Sequence, residues 1–187
     1  MDEYRVELIK KAQKGDKIAL DKLIKNEQGT IKTMLYYLNK NSNDVVDLAQ
    51  EILLKISKNI KQLKSPLAFK TWVNQIVINA YYDNLRKKKK DNQIITINTS
   101  DAKLFEIADN ASNPQDSLLN DELDKVIKKS INNLPSQYKI PIALREIQGL
   151  SYDEISNITN STIGTVKSRI ARARAKIKSD ILKYSRA

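Results

Sequence analysis

Neither cysteine nor histidine occurs anywhere in the 187 residues. That excludes disulfides, thiolate nucleophiles, Cys/His zinc sites and any Ser-His-Asp arrangement. Glycine and proline are scarce at 4 each, and strict period-two alternation is rare, so a strand-rich fold with many tight turns is excluded. Apolar residues recur instead at steps of three and four, the spacing of helices packed through one face. No stretch approaches the roughly twenty consecutive apolar residues of a membrane span. The opening residues, MDEYRVELIKKAQKGD, lack the apolar core of a signal peptide, and a cytoplasmic protein is expected.

What the chain has in excess is positive charge. Lys and Arg number 33 against 22 Asp and Glu, a formal net charge of +11, which points to a polyanionic partner: nucleic acid first, an anionic membrane surface second. A hydrophobic content of 41% is that of a folded protein, and the length fits one domain or two small ones. Three zones are visible. From Tyr4 to Lys90, helical patterns cover Val6 to Ala12, Lys17 to Asn26, Thr30 to Leu38, Asp44 to Ile60 and Ala68 to Lys90. Gly15-Asp16, Lys40 to Asn43 and Lys64-Ser65-Pro66 punctuate them. Residues 91 to 113 are polar and without sustained period; Asp91, Asp101, Glu106 and Asp109 outnumber Lys103, so an acidic linker separates two basic zones. The third zone has a leading helix, a break at Leu134-Pro135 and a helix through about Ile147. The expected fold is all-α: two small helical domains, 1–90 and 114–187, joined by a flexible linker at 91–113.

The segment Gly149 to Lys178, GLSYDEISNITNSTIGTVKSRIARARAKIK, is the most informative. Ser151-x-x-Glu154 is a capping box, in which hydroxyl and carboxylate each satisfy an orphaned backbone N–H. Asn160 stands where the chain must turn, and Asn tolerates the left-handed conformation of such a turn. Thr162 can cap the next helix. Val166, Ile170, Ala173 and Ile177 then form one apolar stripe, with Thr165, Ser168, Arg169, Arg172 and Lys176 on one flank and Lys167 on the other. Cap, turn, second cap and basic helix in this order predict a helix-turn-helix whose second helix meets a major groove. A solvated basic helix would need none of the first three.

Two further segments stand out. In DVVDLAQEILLKI the apolar Val45, Leu48, Ile52 and Ile56 form a stripe and leave Asp44, Asp47, Gln50, Glu51 and Lys55 on a polar, acidic face. In AFKTWVNQIVINAYYDNLRKKKK the apolar Trp72, Val73, Ile76, Val77 and Ala80 share one side, while Asn79, Tyr82, Asp83 and Arg86 reach outward.

Seven phrases in order carry a resemblance: Ala12-Gln13-x-Gly15-Asp16, Asp44-x-x-Asp47-Leu48-x-Gln50-Glu51, Phe69-x-Thr71-Trp72, Asn79-x-x-x-Asp83-x-Leu85-Arg86, Leu134-Pro135, Gly149-Leu150-Ser151-Tyr152-x-Glu154-Ile155 and Gly164-Thr165-Val166-Lys167-Ser168-Arg169. Together they resemble the extracytoplasmic-function (ECF) group of RNA polymerase sigma factors, which keeps only sigma domains 2 and 4. The resemblance implies an alternative sigma factor that binds core polymerase, reads −35 and −10 promoter elements and promotes melting. The partners it implies are core RNA polymerase, promoter DNA and an anti-sigma factor, with no cofactor, metal or small-molecule substrate. By position, Asp44, Asp47, Leu48, Gln50 and Glu51 match the polymerase-docking surface. Leu63, Lys64 and Ser65 of the loop reaching Leu67, with Asn79, Tyr82, Asp83, Arg86, Lys87 and Lys88, match the −10 surface, where Asn79 and the loop hold a flipped base. Thr165, Lys167, Ser168, Arg169, Arg172 and Lys176 match the −35 helix. Trp72 is expected to be core support, and the acidic linker to lie in the RNA exit path.

The alternatives are plainer. Asp47, Gln50 and Glu51 read alone as a solvated acidic face, Asn79 as an ordinary surface amide, and the Arg86 to Lys90 cluster as a solvated tail. Asn160 replaces the usual Gly or Asp-like turn residue, Ala171 offers only a methyl, and Leu63 stands where an aromatic is often found; these bear on promoter sequence. A stand-alone helix-turn-helix regulator binding duplex DNA as a dimer is the competing function, and it has no use for the Asp44 to Glu51 face or Asn79. An enzyme lacks a His, Cys or paired-carboxylate site.

Overall fold

The computed structural model describes residues 3–39, 43–92 and 114–185. The linker expectation, with its RNA exit path, falls largely outside the described residues. Eight α-helices and no strand occur among the described residues. The chain divides into two compact units, Met1–Leu35 with Asn43–Asp101, and Tyr36–Ser42 with Ala102–Ala187.

In the first unit, α1 (Glu3–Gln13) buries Leu8, Ile9 and Ala12. Gly15 turns the chain at φ 96°, and the Asp16 carboxylate accepts from the N–H groups of Ile18 (2.9 Å) and Ala19 (3.1 Å), capping α2 (Lys17–Leu38). The sequence patterns place a gap at Glu27 to Gly29, but α2 runs through it unbroken. The buried series Ala19, Leu23, Glu27, Ile31, Met34, Leu35 and Leu38 continues across Gly29, and burial on that scale outweighs the roughly 1 kcal/mol that glycine costs inside a helix.

Helix α3 (Asn43–Asn59) buries Val45, Leu48, Ala49, Ile52 and Ile56. Two single-turn 3-10 helices, Ile60–Gln62 and Pro66–Ala68, lead into α4 (Phe69–Asn92), which buries Phe69, Val73, Val77, Ile78, Ala80 and Tyr81. The Arg5 guanidinium lies 5.6 Å from the Phe69 ring centroid and pairs with Glu27, which is 6% exposed. Burial raises the Glu27 pKa, and the Arg5 charge opposes that shift.

The second unit contains α5 (Pro114–Asn132), α6 (Ser136–Glu146), α7 (Tyr152–Thr159) and α8 (Ile163–Tyr184). Extended Pro135 separates α5 from α6, and the buried Lys139 ammonium donates to the Asn132 carbonyl at 2.9 Å, satisfying the end of α5. Helix α6 runs through Pro141, where a helix normally loses a hydrogen bond; Ile140, Ile142, Ala143 and Leu144 around it are all buried, so packing holds the turn. Leu150, Ile155, Ile158, Val166, Ile170 and Ala173 complete the core of this unit.

Candidate nucleic-acid interface

Helix α7 and its turn into α8 are held by side chains at both ends. The Ser151 hydroxyl accepts from Glu154 N–H at 3.2 Å, and the Glu154 carboxylate accepts from Ser151 N–H at 2.8 Å. Asn160 adopts φ 47°, ψ 52°, and its N–H donates to the Ser156 carbonyl, closing α7. The Ser156 hydroxyl donates to the Ser161 carbonyl, and the Ser161 hydroxyl to the Thr159 carbonyl at 3.1 Å. Arg169 Nη1 reaches back from α8 to Ser161 Oγ at 2.9 Å. Thr162 then caps α8, accepting from Thr165 N–H at 3.2 Å. The Ser156, Ser161 and Thr162 hydroxyls, which could compete with a regular helix, are thereby spent on the turn.

Helix α8 buries Val166, Ile170 and Ala173, with Ile177 half-buried. Lys167, Ser168, Arg172 and Lys176 are exposed; Thr165 and Arg169 are half-buried. The Ser168 hydroxyl donates to the Thr165 carbonyl at 3.0 Å, and Lys176 pairs with Asp180 at 3.2 Å one turn on. At 1.5 Å per residue Lys176 stands about 16 Å beyond Thr165, which suits a phosphate better than a base edge. Lys167 Nζ lies 5.6 Å from the Tyr152 ring centroid.

In the first unit the loop from Leu63 to Ala68 is tied to α1: Gln13 Nε2 donates to the Leu63 carbonyl at 2.6 Å and to the Ile60 carbonyl at 3.4 Å. Lys64 and Leu67 are exposed, Leu67 by 69%, and Ser65 is half-buried. Along α4, Asn79, Tyr82, Asp83 and Arg86 follow at three, four and seven residues, one exposed stripe about 10 Å long. The Asn79 amide oxygen accepts from Gln75 Nε2 at 3.1 Å, and Arg86 pairs with Asp83 at 3.1 Å. Asn79 stands ten residues beyond Phe69, roughly 15 Å along α4 from the end of the loop.

On α3, Asp47 and Gln50 are exposed. Glu51 pairs with Lys55 at 2.7 Å, and that hydrogen bond holds its carboxyl below the usual carboxylate range. A charged groove of about 320 Å³ runs between α3 and α4, lined by Glu51, Lys55, Asp83, Arg86 and Lys87. Asp44 is bound by Lys88.

Residues 23–91 match the Sigma-70 region 2 family and residues 125–177 the Sigma-70, region 4 family. The ECF RNA polymerase sigma-E factor of Haemophilus influenzae is 32% identical over 178 residues, covering 93% of each chain. The chain belongs to the ECF sigma factors. It is an alternative sigma factor, a DNA-binding initiation factor directing promoter-specific transcription. Two solved structures share the sigma factor's fold: CnrH in complex with the cytosolic domain of CnrY (19% identity, 97% of this chain and 99% of that one, TM-score 0.69), and RpoE of Bartonella quintana in complex with the anti-sigma factor NepR (22%, 86% and 95%, TM-score 0.67).

Two expected site residues of the sigma factor, Leu48 and Leu63, are buried. Leu48 is 3% exposed and belongs to the α3 core stripe, so it supports the acidic face from beneath. Leu63 is 5% exposed; its backbone carbonyl, held by Gln13, shapes the loop, and its side chain is closed to a base. Arg169 and Lys88 spend donors on Ser161 and Asp44. Trp72 is half-buried, its ring 6.0 Å from Phe69, as core support requires. Gln13, Tyr152 and Ser161 carry no role in the sequence reading; Gln13 and Tyr152 sit inside phrases that make the resemblance, and that was their signal. No described helix of the sigma factor is long and apolar enough to cross a membrane.

Proposed function

We propose that residues 1–90 dock on core polymerase and capture the melted −10 strand, that 91–113 link, and that 114–187 read the −35 element. The observation that carries this is a capped, basic helix-turn-helix together with, on the other unit, an exposed Asp47 and Gln50 face beside the outward stripe of α4. A duplex-binding regulator has use for the first alone.

Initiation separates strands without nucleotide hydrolysis, so the opened state must be bound better than the closed one. Extruding a base costs a few kcal/mol, which amide hydrogen bonds and stacking can offset. On α4 the groups that supply them are Asn79 and Tyr82, with Arg86 and Lys87 toward phosphates and exposed Leu67 on the loop. On α8, Lys167 near the helix start and Arg172 five residues further on reach base edges, Thr165 and Ser168 bond neighbouring edges or phosphates, and Arg169 and Lys176 meet phosphates. Tethering the two units raises the local concentration of each at the promoter. The factor acts in the cytoplasm and is held by an anti-sigma protein; support for the latter is that RpoE was solved with NepR.

Co-purification with core polymerase tests the reading. Retention of the wild type, with loss on charge reversal at Asp47 and Glu51 and unchanged circular dichroism, is expected. Promoter binding as a free dimer, with no core retained, would favour the stand-alone regulator.

A further inference from the structure

Tyr152 opens α7 half-buried, and two cations lie against its ring: the Arg145 guanidinium at 4.8 Å and Lys167 Nζ at 5.6 Å from the centroid. Both distances fall within the range of attraction between a cation and a π face. The surrounding cations differ in what else holds them. Arg145 Nη1 donates to the Leu150 carbonyl at 2.7 Å. Arg174 places Nε and Nη2 on Glu146 Oε1 at 3.0 and 2.6 Å. Lys167 alone of the three has no hydrogen-bond acceptor among the described residues, so its three donors are unspent while the Tyr152 ring lies within reach of its charge. It also stands five residues past the Thr162 cap, in the part of the helix that reaches base edges.

A lysine stem ordinarily samples many rotamers, and holding it before DNA arrives removes part of that loss from the binding step. We propose that Tyr152 is a positioning residue for promoter specificity: its ring, gripped by Arg145, aims the Lys167 ammonium at the −35 base edge. This rests on the proposed role of Lys167 as a base reader. The tyrosine touches no base; it acts through the lysine.

The test uses polymerase reconstituted with the full-length factor, titrated onto a promoter set varied singly through the −35 element. Lys167→Ala should lose about 5- to 150-fold in affinity at one or two positions. Tyr152→Phe keeps the π face and loses only the hydroxyl that bonds Arg174, so its discrimination at the −35 positions should equal that of the wild type. A polyfluorinated phenylalanine at 152, nearly the same shape with the face charge reversed, should lower discrimination at those same positions by about two- to fivefold and leave other positions alone. In a Lys167→Ala background the fluorinated ring should change nothing. The ring's shape is kept, so folding is preserved, and thermal melting checks it. If Lys167→Ala shows base-specific loss but the fluorinated ring does not, the positioning role is overturned while the reader stands. A fluorinated ring that weakens every promoter equally, or acts without Lys167, also overturns it. No base-specific loss with Lys167→Ala removes the reader and the positioning role together.

Discussion

The two units present their candidate DNA-facing groups in opposite ways. In the second, Ser151 and Glu154 cap the start of α7 and the α7–α8 turn uses Ser156, Ser161, Thr162 and Arg169 on itself, so the basic helix is presented in one fixed attitude. In the first, the groups expected to meet DNA sit on an open stripe of α4 in local pairs, Gln75 with Asn79 and Asp83 with Arg86, which exchange readily with water. A major groove is a rigid, known shape, and a rigid reader gains by having its ordering cost met in advance. A melted strand has no fixed shape before it is captured. Side chains that release weak local partners suit it better.

Core variants sharpen the contrast most. Phe69→Ala should cost about 3 to 5 kcal/mol and Ile170→Ala about 2 to 5, since both are fully buried. The single tryptophan, Trp72, lies 6.0 Å from Phe69, so its fluorescence in urea reports the first case, and loss of −35 binding the second. A cost below 1 kcal/mol at either site would contradict the packing described. Next in size, Arg172→Ala should lose about 1 to 3 kcal/mol at one or two −35 positions in a binding titration if it reads a base. A uniform loss would leave it a phosphate contact.

Ser151→Ala should cost roughly 1 kcal/mol in thermal unfolding, because the cap is half of a reciprocal pair. Its −35 affinity should fall with it, since α7 carries the turn that aims α8. Stability lost with affinity kept would break the claim that the turn preorganises the reader. Smallest is Gln13→Ala, which removes the bond to the Leu63 carbonyl and should cost about 0.5 to 1.5 kcal/mol. Promoter opening should suffer while closed-complex affinity holds.

The helix-turn-helix was legible because its signals are local: a cap, a left-handed residue and a second cap lie within twelve residues, and each works through its own backbone neighbours. The joining of Lys17 to Leu38 into one helix was not, because glycine is a local breaker while the burial that overrides it is tertiary. The same limit explains Leu48 and Leu63. Period alone placed Leu48 on the apolar stripe, yet the motif drew it into the docking surface; Leu63 sits in a loop, where no period tells inward from outward. Long-range polar bonds such as Gln13 to Leu63 and Lys88 to Asp44 leave no spacing signature at all.

The account turns on Asn79 acting after the strands part. Permanganate reactivity of unpaired thymines near the start site, with wild type and Asn79→Ala on fully paired and on −10-mismatched promoters, tests it most directly. The variant should bind core polymerase and the −35 element normally, open the paired promoter poorly, and recover on the mismatched one, where much of the unpairing cost is already met. Equal defects on both templates, or full opening of the paired promoter, would contradict it.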